Sequence, residues 1–187
     1  MSEELKKFED NLQEYIQSKR AEMHAKYNRV LPTNELFYDR WQKAKDLKFG
    51  ENSNIYDTSI VMGNVKVGKN VWIGPYTLLD GVKEEIEIGD WCTISTGVLI
   101  FTHDSTKYYL TSGKQNFQQG KVKIGNNTQI GSMSMISHGV TIGHHCVIGA
   151  NSFVKSDIPD FSIAVGTPAK VIGRVVLEND DVRLEYN

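Results

Sequence analysis

The chain has 187 residues, 40% of them hydrophobic and 24% charged, the proportions of an ordinary folded protein with room for one good core. Its formal net charge is −2, with no basic tract, which leaves a nucleic-acid or anionic-membrane surface without compositional support. No long apolar run is present and no apolar signal segment comes after Met1-Ser2-Glu3-Glu4, so the expectation is a cytoplasmic protein without membrane insertion.

From Glu3 to about Lys26, Leu5, Phe8, Leu12, Tyr15, Ile16 and Met23 recur at helical spacing with Lys and Glu between them, which predicts an amphipathic helix. Pro32 interrupts it, Thr33 or Asn34 can cap, and Leu36, Phe37, Trp41, Ala44 and Leu47 predict a second helix ending at Gly50. This helical segment, residues 1–52, is expected to lie as a lid over the open end of the strand-rich region after it, because exposed strand edges need cover. Shaping an acceptor pocket is the alternative.

A different beat then begins. The pairs Val65/Val67, Val71/Ile73 and Thr77/Leu79, and after three inserted residues Ile86/Ile88, Cys92/Ile94 and Val98/Ile100, return every six residues. The pattern resumes at Val122/Ile124 and runs through Thr128/Ile130, Ser134/Ile136, Val140/Ile142, Cys146/Ile148 and Ser152/Val154. A helix would need spacings of three and four, and an isolated strand strict alternation with no such beat. Each hexad therefore reads as a short strand with two inward side chains, then a corner such as Gly125-Asn126-Asn127 where φ can turn positive. Three hexads close one triangular coil, and stacked coils form a parallel β-helix. The expected architecture is mainly β: a β-helix of about four to five coils over residues 53–170, an inserted loop 104–120, and a short tail 171–187.

Cys92 and Cys146 both occupy the small inward position, on one face and two coils apart. At about 4.8 Å per strand their Cα atoms stand roughly 10 Å apart, beyond the ~7 Å that a disulfide spans. They are read as small core residues.

Four of five histidines break the repeat. His103 stands where a regular coil gives way to the long loop, beside Asp104, which could orient the ring or stabilise its protonated form. Imidazole is the side chain whose ordinary titration lies near neutrality, suited to taking a proton from a hydroxyl or amine nucleophile; a corner histidine bonded only to loop backbone is the alternative. The corners after Ile100 and Ile136 stack, so His138 is expected near His103. His145 matches Asn127 one coil earlier and reads as a solvated corner residue, and His24 lies on the polar side of the first helix. His138, His144 and His145 have poor spacing for a three-histidine zinc site, so no metal is expected.

With repeat, loop and histidine in place, the chain resembles the hexapeptide-repeat acyltransferases, in particular the branch of galactoside, maltose and xenobiotic acetyltransferases and bacterial sugar O-acetyltransferases. The resemblance covers about Ile60 to Val175 and is carried by Ile124-Gly-Asn-Asn-Thr-Gln-Ile-Gly131, Gly139-Val-Thr-Ile-Gly143, Val147-Ile-Gly-Ala-Asn-Ser152, Asp157-Ile-Pro159 and Gly166-Thr-Pro-Ala-Lys-Val-Ile172. It implies a left-handed β-helix, a homotrimer, and active sites between subunits where acetyl-coenzyme A lies along the coils. By position it implies His103 as the catalytic histidine, with Ser132 and Ala150 lining the pantetheine arm and Lys170 at the nucleotide phosphates. Arg174 is offset by one from a second basic position, and Gly149 and Lys155 are candidate lining residues. Gln129 and His138 stand where relatives carry Trp and Pro.

The expected reaction is transfer of acetyl from acetyl-coenzyme A to a hydroxyl, or an amine, of a sugar or nucleotide-linked sugar, with His103 as general base, direct attack, and backbone donors near Ser132 or Gly139 for the oxyanion. Asp80, Trp91 and His138 are candidate acceptor-binding residues, with Tyr76 and the loop residues Tyr108, Tyr109, Asn116, Phe117 and Gln118 offering rings and polar groups. Two other classes remain open: a metal-dependent lyase of the gamma carbonic anhydrase kind, and a non-catalytic β-helix subunit.

Overall fold

A computed structural model describes residues 2–179 and 181–187, which fall into two compact units divided between Asp39 and Arg40. In the first, helix α1 spans Glu3–Tyr27. The Ser2 hydroxyl accepts the Leu5 N–H at 3.2 Å, and Asn28 closes the far end in the left-handed conformation, its N–H donating to the His24 carbonyl. A single 3-10 turn, Thr33–Leu36, comes next. Tyr15 stacks on Phe37 at 5.8 Å and Arg20 donates to Thr33 Oγ1 at 3.2 Å.

The predicted second helix is shorter than its apolar spacing suggested. Helix α2 is only Arg40–Asp46, and it belongs to the second unit, where Ala44 joins the buried core together with Phe49. The division between compact units thus precedes the expected 52/53, because the residues that cover the first coil are apolar enough to fold with it.

The second unit winds around three faces. On face A the parallel strands Asn54–Ile55, Trp72–Ile73, Thr93–Ile94, Gln129–Ile130, Val147–Ile148 and Ser162–Gly166 stack in order. Face B carries 60–63, 78–81, Leu99–Phe101, Met135–Ile136 and Phe153–Val154; face C carries 65–67, 86–88, Val122–Ile124 and Thr141–Ile142. Asn54 pairs with Trp72 and Gln129 with Val147, a return of eighteen residues. Trp72 pairs with Thr93, twenty-one residues on, so the three inserted residues are real; they pass as an irregularity in the long strand Leu78–Ile88. Thr93 pairs with Gln129, which makes the later excursion a pure insertion of one coil's length. These are the pairings of a parallel β-helix.

The inward residues explain the beat. Ile73, Leu79, Ile88, Ile94, Ile100, Ile124, Ile130, Ile136, Ile142 and Ile148 are wholly buried, each contributing roughly 1.5–3 kcal/mol of burial relative to exposure. The small residue two places earlier bonds across to the next coil. Thr128 Oγ1 donates to the Gly143 carbonyl at 2.9 Å and accepts the Cys146 N–H at 3.1 Å; Ser134 Oγ donates to the Gly149 carbonyl at 3.0 Å and accepts the Ser152 N–H at 3.2 Å. Both cysteines do likewise, with Cys92 Sγ 3.0 Å from the Gly125 carbonyl and Cys146 Sγ 3.0 Å from that of Pro159. Burial pushes the Cys92 thiol up to about 11 and raises that of Cys146, so both are unreactive core groups.

Tight corners let the coils stack. A Cβ added to Gly131 would lie 2.5 Å from the Ala150 nitrogen, so only glycine fits. The tail is a hairpin: Ala169–Glu178 runs antiparallel to Ser162–Gly166 and then to Asp181–Tyr186, extending face A.

Candidate functional site

Of the three corners, the one between faces B and C is where the winding is interrupted. Thr102 ends face B, its Oγ1 donating to the Asp80 carbonyl at 2.8 Å. The chain then leaves as a small strap: His103–Asp104 pairs antiparallel with Gln118–Gln119, and helix α3, Thr106–Leu110, lies between them. Gly120 returns to the coil by donating its N–H to the Thr102 carbonyl at 3.0 Å.

This puts the His103 ring over Asp80. The Asp80 carboxylate is buried, its Oδ2 3.8 Å from His103 Nδ1, and its Oδ1 accepts the Val82 N–H at 3.2 Å. The ring contact is too long for a hydrogen bond, and Nδ1 is a buried nitrogen with no hydrogen-bond partner among the described residues. The other side of the ring faces Phe117, stacked at 5.9 Å and 12°. Phe117 in turn meets Tyr108 edge-on at 4.9 Å and carries the Lys83 ammonium 5.1 Å over its face. Lys83, Tyr108, Asn116, Phe117 and Gln119 line a cleft of about 510 Å³, within the range of small-molecule sites.

Asp104, expected to orient His103, does not hold that place. Its Oδ1 accepts the Thr106 N–H at 2.6 Å. Bonds from Thr106, side chain first and then backbone, with smaller attraction from His138 and His103, hold its carboxyl below the ordinary range. Neighbouring residues of an extended strand point to opposite sides, so the strap takes Asp104 while Asp80 meets the ring. Asp80, expected to bind acceptor, is turned inward instead. His138 shares the corner, with Nδ1 3.2 Å from Ser137 Oγ. Trp91 does not share it. Trp91 is an exposed residue with positive φ at the corner between faces C and A, with face C between it and the His103 corner, so one chain does not bring it to His103. Lys83 and Gln119 were missed; the signal for Lys83 was its place among the three residues that break the beat.

Ser132 and Ala150 stack at the third corner, between faces A and B, where the Asn151 N–H donates to the Ser132 carbonyl at 2.9 Å. Gly149 lies just before Ala150, and Lys155 and Lys170 are exposed. The Arg174 guanidinium is committed to Glu185 at 2.7 Å. Face B separates this corner from His103, so one chain does not bring the two sets together. Face B itself carries an outward apolar row, Ile60, Leu78, Leu99, Met135 and Phe153, in register across five strands. Ile60 and Met135 remain 56% and 37% exposed.

His138 and His144 stand at different corners, and among the described residues no three His, Cys, Asp or Glu side chains converge as a metal set. No helix among them is long and apolar enough to cross a membrane.

Comparison with known proteins adds the lineage. Residues 121–156 match the bacterial transferase hexapeptide (six repeats) profile. A maltose O-acetyltransferase from Clostridium difficile superposes with a TM-score of 0.64 at 31% identity, covering 88% of this chain and 86% of its own. The chain belongs to the hexapeptide-repeat acetyltransferase family. A second solved family structure, a point mutant of AntD, an N-acyltransferase from Bacillus cereus in complex with dTDP and coenzyme A, has a TM-score of 0.62 at 31% identity, over 67% of this chain and 72% of that one. Among curated sequences, a Staphylococcus aureus protein named as an acetyltransferase is 40% identical over 118 residues, 63% of this chain but only 57% of its own length. The chain therefore matches little more than half of such relatives.

Proposed function

We propose that this hexapeptide-repeat protein is an acetyltransferase that moves acetyl from acetyl-coenzyme A to a hydroxyl, or an amine, of a sugar or nucleotide-linked sugar. The observation that carries the reading is His103: a histidine beside a cleft, at the point where the coil opens, with its Nδ1 over the buried Asp80 carboxylate. A proton on Nδ1 is attracted to that carboxylate, which leaves Nε2 as the basic atom for the acceptor. His103 takes the proton as the acceptor attacks the acetyl carbonyl, the thioester C–S bond breaks, and coenzyme A leaves as the thiol with that proton, so the transfer is direct with no acyl-enzyme. Solved relatives support the donor class, since AntD is described with coenzyme A and the maltose enzyme as an O-acetyltransferase.

The donor's cradle on this chain is the low-profile corner of Ser132, Gly149 and Ala150, with Lys155 and Lys170 as exposed cations for phosphate. Acetyl-coenzyme A brings the activated acetyl group; the chain's part is to hold it and to handle the acceptor's proton. Because face B stands between that corner and His103, a complete site draws the corner from one copy and the histidine from another. The outward apolar row of face B supports such self-association, since a contiguous exposed apolar row marks a contact surface. A left-handed winding and a homotrimer are what the family resemblance implies for this arrangement, and a cytoplasmic setting is proposed with it.

The test is thiol release from acetyl-coenzyme A across a panel of sugars and nucleotide sugars, with His103→Ala as control and the oligomer sized in parallel. Turnover in the variant equal to the parent removes His103 from the chemistry, and a monomer that turns over removes the shared site.

A further inference from the structure

We infer that the acceptor carries an anionic group, a carboxylate or a phosphate, and that Lys83 receives it. The inference rests on the acetyl-transfer reading and adds the acceptor's chemical class. Among the described residues Lys83 is the one formally charged side chain in the wall of the cleft; the rest is Tyr108, Asn116, Phe117 and Gln119. Its ammonium lies 5.1 Å over the Phe117 ring, the same ring on which His103 stacks. His103 and Lys83 thus both contact the Phe117 ring, and on this inference the acceptor offers a hydroxyl to the first and an acidic substituent to the second.

Solvated lysines are common, and three features separate this one. Lys66, Lys121 and Lys123, on the strands beside it, all pair with Glu85 or Glu87, whereas no carboxylate among the described residues lies within ion-pair distance of Lys83. The adjacent acid, Glu84, is engaged through Oε1 with the Gln119 amide at 3.2 Å, which occupies one of that amide's N–H donors and leaves the Lys83 ammonium as the charged donor of the cleft wall. Lys83 also belongs to the inserted residues between Gly81 and Glu85, which the coil does not need in order to close. A cation on an aromatic face is held in place while keeping its N–H donors free.

The experiment compares three acceptors of one scaffold, a neutral hexose, the matching hexuronic acid and the hexose phosphate, by thiol release from acetyl-coenzyme A on the full chain. We expect kcat/KM for one or both anionic members to exceed that of the neutral sugar by about tenfold or more, the size of one charge-assisted hydrogen bond, and the advantage to shrink as salt rises. In Lys83→Met the ratio should fall to near one, while Lys107→Met, on the strap but outside the cleft wall, should keep it. Which anion gains more separates carboxylate from phosphate recognition. Equal or better use of the neutral sugar by the parent, or a ratio that survives Lys83→Met, overturns the inference. If no acceptor turns over, binding of the same three sugars measured by ligand-observed NMR decides it by the same ratio, and absence of coenzyme A binding separately sinks the acetyl-transfer reading.

Discussion

Two corner columns of the same β-helix each carry histidines, and they use them differently. Between faces C and A, the side chain at the first corner position accepts the N–H of its counterpart one coil below: Asp90 from Lys69 at 2.7 Å, Asn126 from Asp90 at 2.9 Å, His144 from Asn126 at 2.9 Å, and Asp160 from His144 at 2.7 Å. His144 is one rung, its Nδ1 replacing a carboxylate or amide oxygen. Next to it His145 stacks flat on Phe161 at 5.0 Å. Between faces B and C the Nδ1 of His103 takes part in no such ladder: it has a buried carboxylate near it but no bond. His144 thus gives its Nδ1 to the scaffold, whereas the Nδ1 of His103 is left without a hydrogen bond among the described residues.

The largest effect that can break this contrast is on turnover. His103→Ala should lower kcat by about 10²- to 10⁴-fold, the usual weight of a general base, with coenzyme A affinity unchanged by calorimetry. His144→Ala should leave kcat alone. If the two variants lose activity equally, the distinction between the corners is wrong.

Asp80→Asn sharpens the same point at a smaller scale. An amide presents either a donor or an acceptor to Nδ1 and no charge, so both tautomer preference and imidazolium stabilisation weaken. We expect kcat to fall about 10- to 100-fold, by analogy with partners that orient ligating histidines, with KM for acetyl-coenzyme A little changed. Loss of folding instead, seen as a broadened thermal transition, would assign Asp80 to the coil.

How much of the molecule was legible depends on what each residue answers to. The inward isoleucines and their small companions answer to a fixed period, so strands, faces and the separation of Cys92 from Cys146 could be counted from the chain. The places of His145 over the Asn127 corner and of His138 beside the His103 corner came from the same count. The partner of His103 did not, because adjacency in sequence favoured Asp104, whereas the fold brings Asp80 up from one coil below, where it pairs with Phe101 across the three inserted residues. Trp91 is a related case: an exposed aromatic looks like a binding residue until its corner is known. Lys83 gains meaning only from the Phe117 ring, which the strap folds back onto it from more than thirty residues away.

On the structural corner, His144→Ala should cost about 1 kcal/mol by stranding the Asn126 N–H, a fall of roughly 2–4 °C in Tm for a domain of this size. His144→Asn, which restores an acceptor of the kind Asn126 already provides, should recover most of it. An Ala variant as stable as the parent would mean that water replaces the ring at no cost.

The smallest effect concerns face C, which carries an ion-pair row. Lys121 binds Glu85 and Glu87 at 2.7 Å each, and Lys66 also reaches Glu85. The Lys121 bond, then that of Lys66, lowers the Glu85 carboxyl from 4.5 to about 2, and the bonds to Glu85 and then Glu87 raise Lys121. A carboxyl whose folded pKa is depressed adds stability above its unfolded value and loses it as pH falls through the folded one. The Glu85 contribution is therefore complete above about pH 4.5 and fades toward pH 2, while that of Lys121 is complete below its ordinary range and is lost only in strong alkali. Glu85→Gln should melt slightly below the parent at about pH 6, with the gap closing between pH 4.5 and 2 and shrinking in high salt, as exposed pairs do. A gap that stays constant across that acid window would show that Glu85 contributes packing along face C rather than charge.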